Sequence, residues 1–261
     1  GSEMCIRDRM IITEGIVIRE RSVGEQDKFI DILTKEYGVV EVAVKGARKI
    51  NGKSGSSTQL FAYSRFCLQL RKERYYLNSA EPICIFYNLR TGLKKLSLAS
   101  YFAEVVNYSI ERQNDNGEIL RLMLNTLHYL ENDLRPLDFL KSLFEIRLCT
   151  EIGIMPDIIC CCECGAFESD KIIMKINDGN FCCHECCNQL ADGSYPEDYI
   201  LSEKALLHAV RHIVLSDFNK LYNFRVSDNI QSQLSEYAEK YLITHLEHNF
   251  KTLDFYKTAA Q

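Results

Sequence analysis

Eight of the chain's twelve cysteines fall between Cys160 and Cys187, and four of them carry the spacing of a metal site. Cys161 and Cys164 form one Cys-x-x-Cys knuckle, and Cys183 and Cys186 form a second. Two intervening residues let one tight turn aim both sulfurs at a single ion, and a hairpin between the knuckles brings the second pair back to complete a tetrahedral zinc site. Four thiolates close the coordination sphere, so the chemistry is structural rather than catalytic. Cys160, Cys162, Cys182 and Cys187 flank the knuckles as alternative ligands or bystanders, and His184, caught between two ligands, reads as a bystander. Disulfides are the bland alternative, but these thiols cluster in a 261-residue chain with no secretory signal. A zinc deaminase requires His-x-Glu with Pro-Cys-x-x-Cys, and His184-Glu185-Cys186 has the wrong order.

A second chemistry lies upstream. Gly46 to Ser54 reads G-x5-G-K-S, one residue longer than a phosphate-cradling loop, and Gly55-Ser56-Ser57 follows where a helix should begin. No nucleotide site is expected there. The net charge of -5 argues on its face against nucleic acid, yet from Val42 to Arg74 eight basic residues stand against one acid, Glu73. Lys45, Arg48, Lys49, Lys53, Arg71, Lys72 and Arg74 are therefore candidates for contacts with a DNA backbone. Tyr63, on the outward face shared with Arg65 and Arg71, is the candidate for base stacking. The bland reading of such a run is a solvated surface. His128, His208, His212, His245 and His248 lack partners at ligand spacing.

These residues need elements to position them. Residues 1–9 fit no periodic pattern and read as an expression or gene-calling remnant. From Met10 the pattern is β: Ile12, Ile16 and Ile18 alternate, Phe29 to Thr34 gives a second strand, and Val40, Val42 and Val44 share one face of a third. A fourth strand buries Phe66, Leu68 and Leu70, and Tyr75 to Ala80 supplies the fifth. Five short antiparallel strands suit a small closed barrel, of which the OB-fold is the common nucleic-acid-binding form. The expected class is α+β: an OB-fold over 10–81, a helical domain beginning at 82–155, an inserted four-cysteine zinc module at 156–190, and the rest of the helical domain at 191–261. Helical stripes run through Leu93 to Val106, Ile119 to Leu130 and Phe139 to Ile146, with Pro136 opening the third and Gly153 stopping it. Ser202 and Ser227 are expected N-caps of two later helices. No apolar run approaches the length of a membrane span, and a cytoplasmic location is expected.

Gly15-Ile-Val-Ile18, Gly24-Glu-x-Asp27, Thr34-x-x-x-Gly38 and Lys45-Gly-Ala-Arg-Lys49 resemble the opening of the RecO family of bacterial recombination mediators. Pro156-x4-Cys161-x-x-Cys164-Gly165 and Cys183-x-x-Cys186 match its zinc-bearing branch, and His245 to Phe255 resembles its C-terminal helix and tail. Asn180 departs from the pattern, standing where a second Gly is usual. Anchoring on the Gly-rich turn selects Cys183 and Cys186, which with Cys161 and Cys164 are the expected ligands of one structural Zn2+. The resemblance implies a non-enzymatic, nucleoid-associated protein that binds single- and double-stranded DNA and anneals complementary strands. It also implies partnership with RecR, with RecF and with the acidic C-terminal tail of single-strand-binding protein, in loading RecA onto strands coated by that protein. A zinc-stapled interaction scaffold that binds no DNA is the rival reading.

Overall fold

A computed structural model describes residues 9–25, 27–46, 55–110, 116–190 and 192–260. The chain forms two compact units: the described residues up to Leu134 together with those from Phe250 onward, and Arg135–Asn249. The units divide after Leu134 and after Asn249.

The first unit is built on β1 (Arg9–Val23), β2 (Asp27–Thr34), β3 (Val39–Val44), β4 (Ala62–Arg71) and β5 (Arg74–Ile85), which close in the order β1-β2-β3-β5-β4. Every pairing is antiparallel except that of β3 with β5, where Val42 and Ala43 lie beside Tyr75 and Tyr76. That closure is the OB arrangement. Val17, Ile30, Ile32, Val40, Val42, Val44, Phe66, Leu68 and Ala80 fill the barrel. β-branched residues dominate because each strand turns every second side chain inward.

The simple alternation expected along β1 does not hold. Ile11 is buried and Ile12 is 72% exposed. Beyond Gly15, Ile16, Val17 and Ile18 are all buried, because Val17 enters the barrel while α1 (Leu93–Ser109) and α2 (Gly117–Glu131) approach the other face of β1. A register shift between Val17 and Arg19 accompanies the change. Glycine is required at position 15: a Cβ there would lie 2.6 Å from both Ile32 Cγ2 and Leu33 O. Leu70 is only half-buried, and β5 runs past Ala80 to Ile85. A short 3-10 turn, Tyr87–Thr91, leads into α1, and α6 (Lys251–Ala260) packs on α1. The Thr252 backbone N–H donates to Glu104 Oε2 at 3.0 Å.

The second unit centres on α3 (Leu137–Glu151), whose residues from Phe139 to Cys149 are all buried. Pro136 occupies its N-cap position and Gly153 follows its C-cap with φ +85. A helix enclosed on every side must bury charge where its sequence carries it. Lys141 Nζ lies 2.8 Å from Glu145 Oε1 and 2.9 Å from Glu239 Oε2. Around α3 stand α4 (Lys204–Leu215) and α5 (Asp228–Leu246), and against those two helices lies a sheet of β6 (Lys171–Lys175), β7 (Asn180–Cys183) and β8 (Tyr199–Glu203) in the order β7-β6-β8. Ser227 caps α5, its hydroxyl accepting from the Ile230 N–H. Ser202 is no cap: it lies in β8 with its hydroxyl donating to Gln233, and Glu203 occupies the N-cap position of α4. Among the described residues no helix is long and apolar enough to cross a membrane.

Candidate metal centre and nucleic-acid face

The two knuckles are shaped before any metal is considered. In the first, the Gly165 N–H donates to Cys161 O at 3.0 Å and the Cys161 N–H to Ala166 O at 2.8 Å, winding residues 161–166 into a tight turn. In the second, the N–H groups of Cys186 and Cys187 both donate to Cys183 O. The β6–β7 turn carries Cys183 back to the first knuckle. Gly179 makes that turn with φ +67, and an added Cβ would meet the Tyr241 hydroxyl at 3.3 Å. The Asp157 N–H donates to Gly179 O and the Cys162 N–H to Phe181 O, docking the first knuckle on the hairpin.

The sulfurs of Cys161, Cys164, Cys183 and Cys186 all lie within 4.8 Å of one another. Cys183 Sγ is 3.7 Å from both Cys161 Sγ and Cys164 Sγ. A tetrahedron with metal–sulfur bonds of ~2.3 Å has edges of about 3.8 Å, so the cage fits a thiophilic cation of zinc's size. Burial opposes ionisation of Cys161, but backbone N–H groups of Cys164, Cys183 and Glu163 converge on its sulfur and bring its pKa down to about 6. Burial pushes the Cys183 thiol up, so ionisation of all four thiols together would require a cation at the centre.

Of the flanking thiols, Cys162 is exposed and Cys160 and Cys187 are half-buried. Cys182 Sγ comes within 3.9 Å of Cys161 Sγ. It does not join the cage, because neighbours on a strand point to opposite faces and Cys183 is the one facing the knuckles. His184 stands edge-on to the Tyr195 ring. His208 meets Glu168, His212 meets Lys220 O and His245 meets Ile176 O, all structural contacts.

Arg211 was hidden from sequence reasoning. It stands among the apolar residues of α4 and is 8% exposed. Its Nε donates to Ile158 O at 2.7 Å, and one terminal nitrogen donates to Ile159 O and Phe167 O at 2.8 and 2.7 Å. The guanidinium also lies 4.0 Å from the Phe167 ring centroid. One side chain thus grips the first knuckle from both ends. Only an arginine presents enough donors in a fixed fork for this.

On the barrel, Lys45, Arg71, Lys72 and Arg74 are all exposed. Arg48, Lys49 and Lys53 lie outside the described residues. Arg71 and Arg74 are direct cross-strand partners, and Lys72 and Glu73 form the turn between them with φ +43 and +66. Asn-Gly would relax such a turn, and like charges placed opposite each other destabilise a hairpin. An anion laid across this tip would relieve the repulsion. Tyr63 sits elsewhere on β4. Its hydroxyl donates to Glu14 Oε2 at 2.9 Å, and burial followed by that carboxylate raises its pKa to about 12. Arg65 pairs with the same Glu14 at 2.8 Å.

Comparison with known proteins points one way. A family model described as "Recombination protein O N terminal" matches residues 9–86, and one described as "Recombination protein O C terminal" matches residues 90–254. The chain is similar to the DNA repair protein RecO of Acetivibrio thermocellus, with 32% identity covering 94% of this chain and 96% of that protein. It is similar also to the DNA repair proteins RecO of Alkaliphilus metalliredigens and Thermoanaerobacter sp. (strain X514), each 30% identical over 95% of this chain and 99% or 97% of theirs.

Proposed function

The chain belongs to the RecO family of DNA repair proteins, and from that premise we propose that it is a non-enzymatic recombination mediator that binds single- and double-stranded DNA on its barrel. The observation that carries this reading is the cationic hairpin tip, Arg71 and Arg74 paired opposite one another around Lys72, with Lys45 exposed at the end of β3. Its repulsion is tolerated because the barrel core beneath is complete without it, and phosphates are the anions that suit it. Arg48, Lys49 and Lys53 extend the set in sequence, whereas Tyr63, the stacking candidate from the sequence, lies at the other end of β4 with its hydroxyl on Glu14.

The Cys161, Cys164, Cys183 and Cys186 cage holds one Zn2+ in this reading. The ion crosslinks two loops and does no chemistry on a substrate. Strand annealing, RecA loading with RecR and RecF on strands coated by single-strand-binding protein, and contact with that protein's acidic tail are part of the same proposal, and family membership supports them. The loop from Gly46 to Ser54 takes part as a basic loop and not as a nucleotide cradle.

The test is a DNA-binding isotherm for unrelated oligonucleotide sequences at two salt concentrations, run beside an ATP-turnover assay. Binding indifferent to sequence that weakens steeply with salt, with no turnover, supports the reading. Absence of binding at low salt would leave the interaction-scaffold alternative standing. ATP hydrolysis lost in Lys53→Ala would overturn the non-enzymatic assignment.

A further inference from the structure

Register across three strands of the barrel places two aromatic rings on either side of an alanine. Phe29 of β2 pairs with Ala43 of β3, and Ala43 pairs with Tyr76 of β5. The neighbours Ile30, Val42 and Val44 fill the barrel, and Tyr75 packs against that core, so Phe29, Ala43 and Tyr76 share the outward face. Two strand spacings separate the aromatic positions, about 9.6 Å. The small methyl of Ala43 floors the space between them. Phe29, Ala43 and Tyr76 are each only partly buried, and they line a groove of about 200 Å³.

The rim of this groove is cationic. Lys45 Nζ lies 5.6 Å from the Tyr76 ring centroid and the Arg71 guanidinium 5.9 Å from it, and Arg74 and Lys28 line the same groove. The one acid in the lining, Asp27, accepts the Gly46 N–H at 2.8 Å. Lys28 is engaged by Glu20 and by Thr58 O. Flat rings within a ring of positive charge match one kind of ligand, an unpaired base whose flanking phosphates meet the cations. Tyr63 has no such setting, because its hydroxyl and the neighbouring Arg65 are both held by Glu14.

We infer that this groove is the base-stacking subsite of the protein, with one unpaired nucleobase of single-stranded DNA seated over Ala43 between Phe29 and Tyr76. The inference rests on the DNA-binding reading above and sharpens it. Lys45 and Arg71, which hover near the Tyr76 ring without DNA, turn to the phosphates on either side of the seated base. Duplex DNA, with its bases already stacked, meets only the cations.

The chain contains no tryptophan, so Tyr76→Trp introduces a single fluorescent reporter at the groove. Titration with an oligothymidylate is expected to quench the indole emission of this variant, while a blunt duplex that binds equally by anisotropy leaves it nearly unchanged. Tyr76→Ala is expected to weaken single-strand binding about tenfold, the size of one lost stacked base, with the salt slope unaltered because no phosphate contact is removed. Tyr76→Phe should bind as the parent does. Thermal melts of each variant establish that the barrel is folded; should Tyr76→Ala not fold, quenching in the Tyr76→Trp variant decides alone. If the oligothymidylate binds but the indole emission does not change, or duplex quenches it equally, the subsite is refuted while DNA binding stands. If no oligonucleotide binds to the parent protein, both readings fall together.

Discussion

The barrel and the cysteine module carry their chemistry on opposite sides of their cores. In the barrel the interior is an ordinary set of β-branched and aromatic side chains, and the cations lie outside it in solvent. In the module two of the four candidate ligands, Cys161 and Cys183, are part of the interior, and the strands around them are only five and four residues long. Substitution on the barrel face should therefore change binding and spare stability. Substitution in the module should do the reverse, since the energy of binding a structural metal is folding energy.

The largest effect is expected for Cys161→Ser or Cys183→Ser. Metal content should fall from one zinc per chain to none, and the unit from Arg135 to Asn249 should lose stability and become sensitive to proteases. A chelator should do the same to the parent protein. Full metal content in both variants would remove the module from this side of the contrast.

Next in size is Arg211→Met, which leaves the Ile158, Ile159 and Phe167 carbonyls without their donor. Lost hydrogen bonds from a charged group should cost on the order of 3 kcal/mol in chemical denaturation, with zinc still bound. A midpoint equal to the parent's would show that the cage positions itself.

On the barrel, Arg71→Gln and Arg74→Gln should each reduce the log–log salt slope of DNA binding by about one unit and leave the thermal midpoint level or raised, because each relieves a like-charge pair. Reversing Arg48 and Lys49 to Glu should weaken binding to all sequences alike. Loss of stability without loss of affinity would invert the comparison. Cys162→Ser, a change to an exposed thiol beside the cage, should retain both metal and affinity.

The smallest effect concerns Glu14. Hydrogen bonds from Arg65 and then Tyr63 hold its pKa below the ordinary 4.5. A carboxylate whose pKa is depressed on folding stabilises the protein above its unfolded value and loses that contribution as pH falls through the folded one. Glu14→Gln should therefore lower the midpoint slightly at neutral pH and flatten its decline below about pH 4.5. An unchanged acid limb would show that this exposed pairing adds nothing, as many surface ion pairs do.

Much of this protein was already determined along the chain. The knuckle spacing, the period-2 runs and the helical stripes are local signals, each set by a few residues and the geometry of one turn. They were enough to locate the cage, the five strands and the Ser227 cap. Tertiary structure decided what depends on which face meets which neighbour. The buried run Ile16-Val17-Ile18 reflects helices approaching β1 from outside the barrel, and no strand period encodes that. Lys141 and Glu145 have the i, i+4 spacing of a solvated pair, yet α3 is enclosed on every side and buries them. Arg211 was invisible because its partners are carbonyl groups more than forty residues away, which any sequence supplies. Likewise Phe29, Ala43 and Tyr76 become one groove only when β3 pairs with β5, since strand register, which joins residues distant in sequence, is set by barrel closure and not by any of the three strands alone.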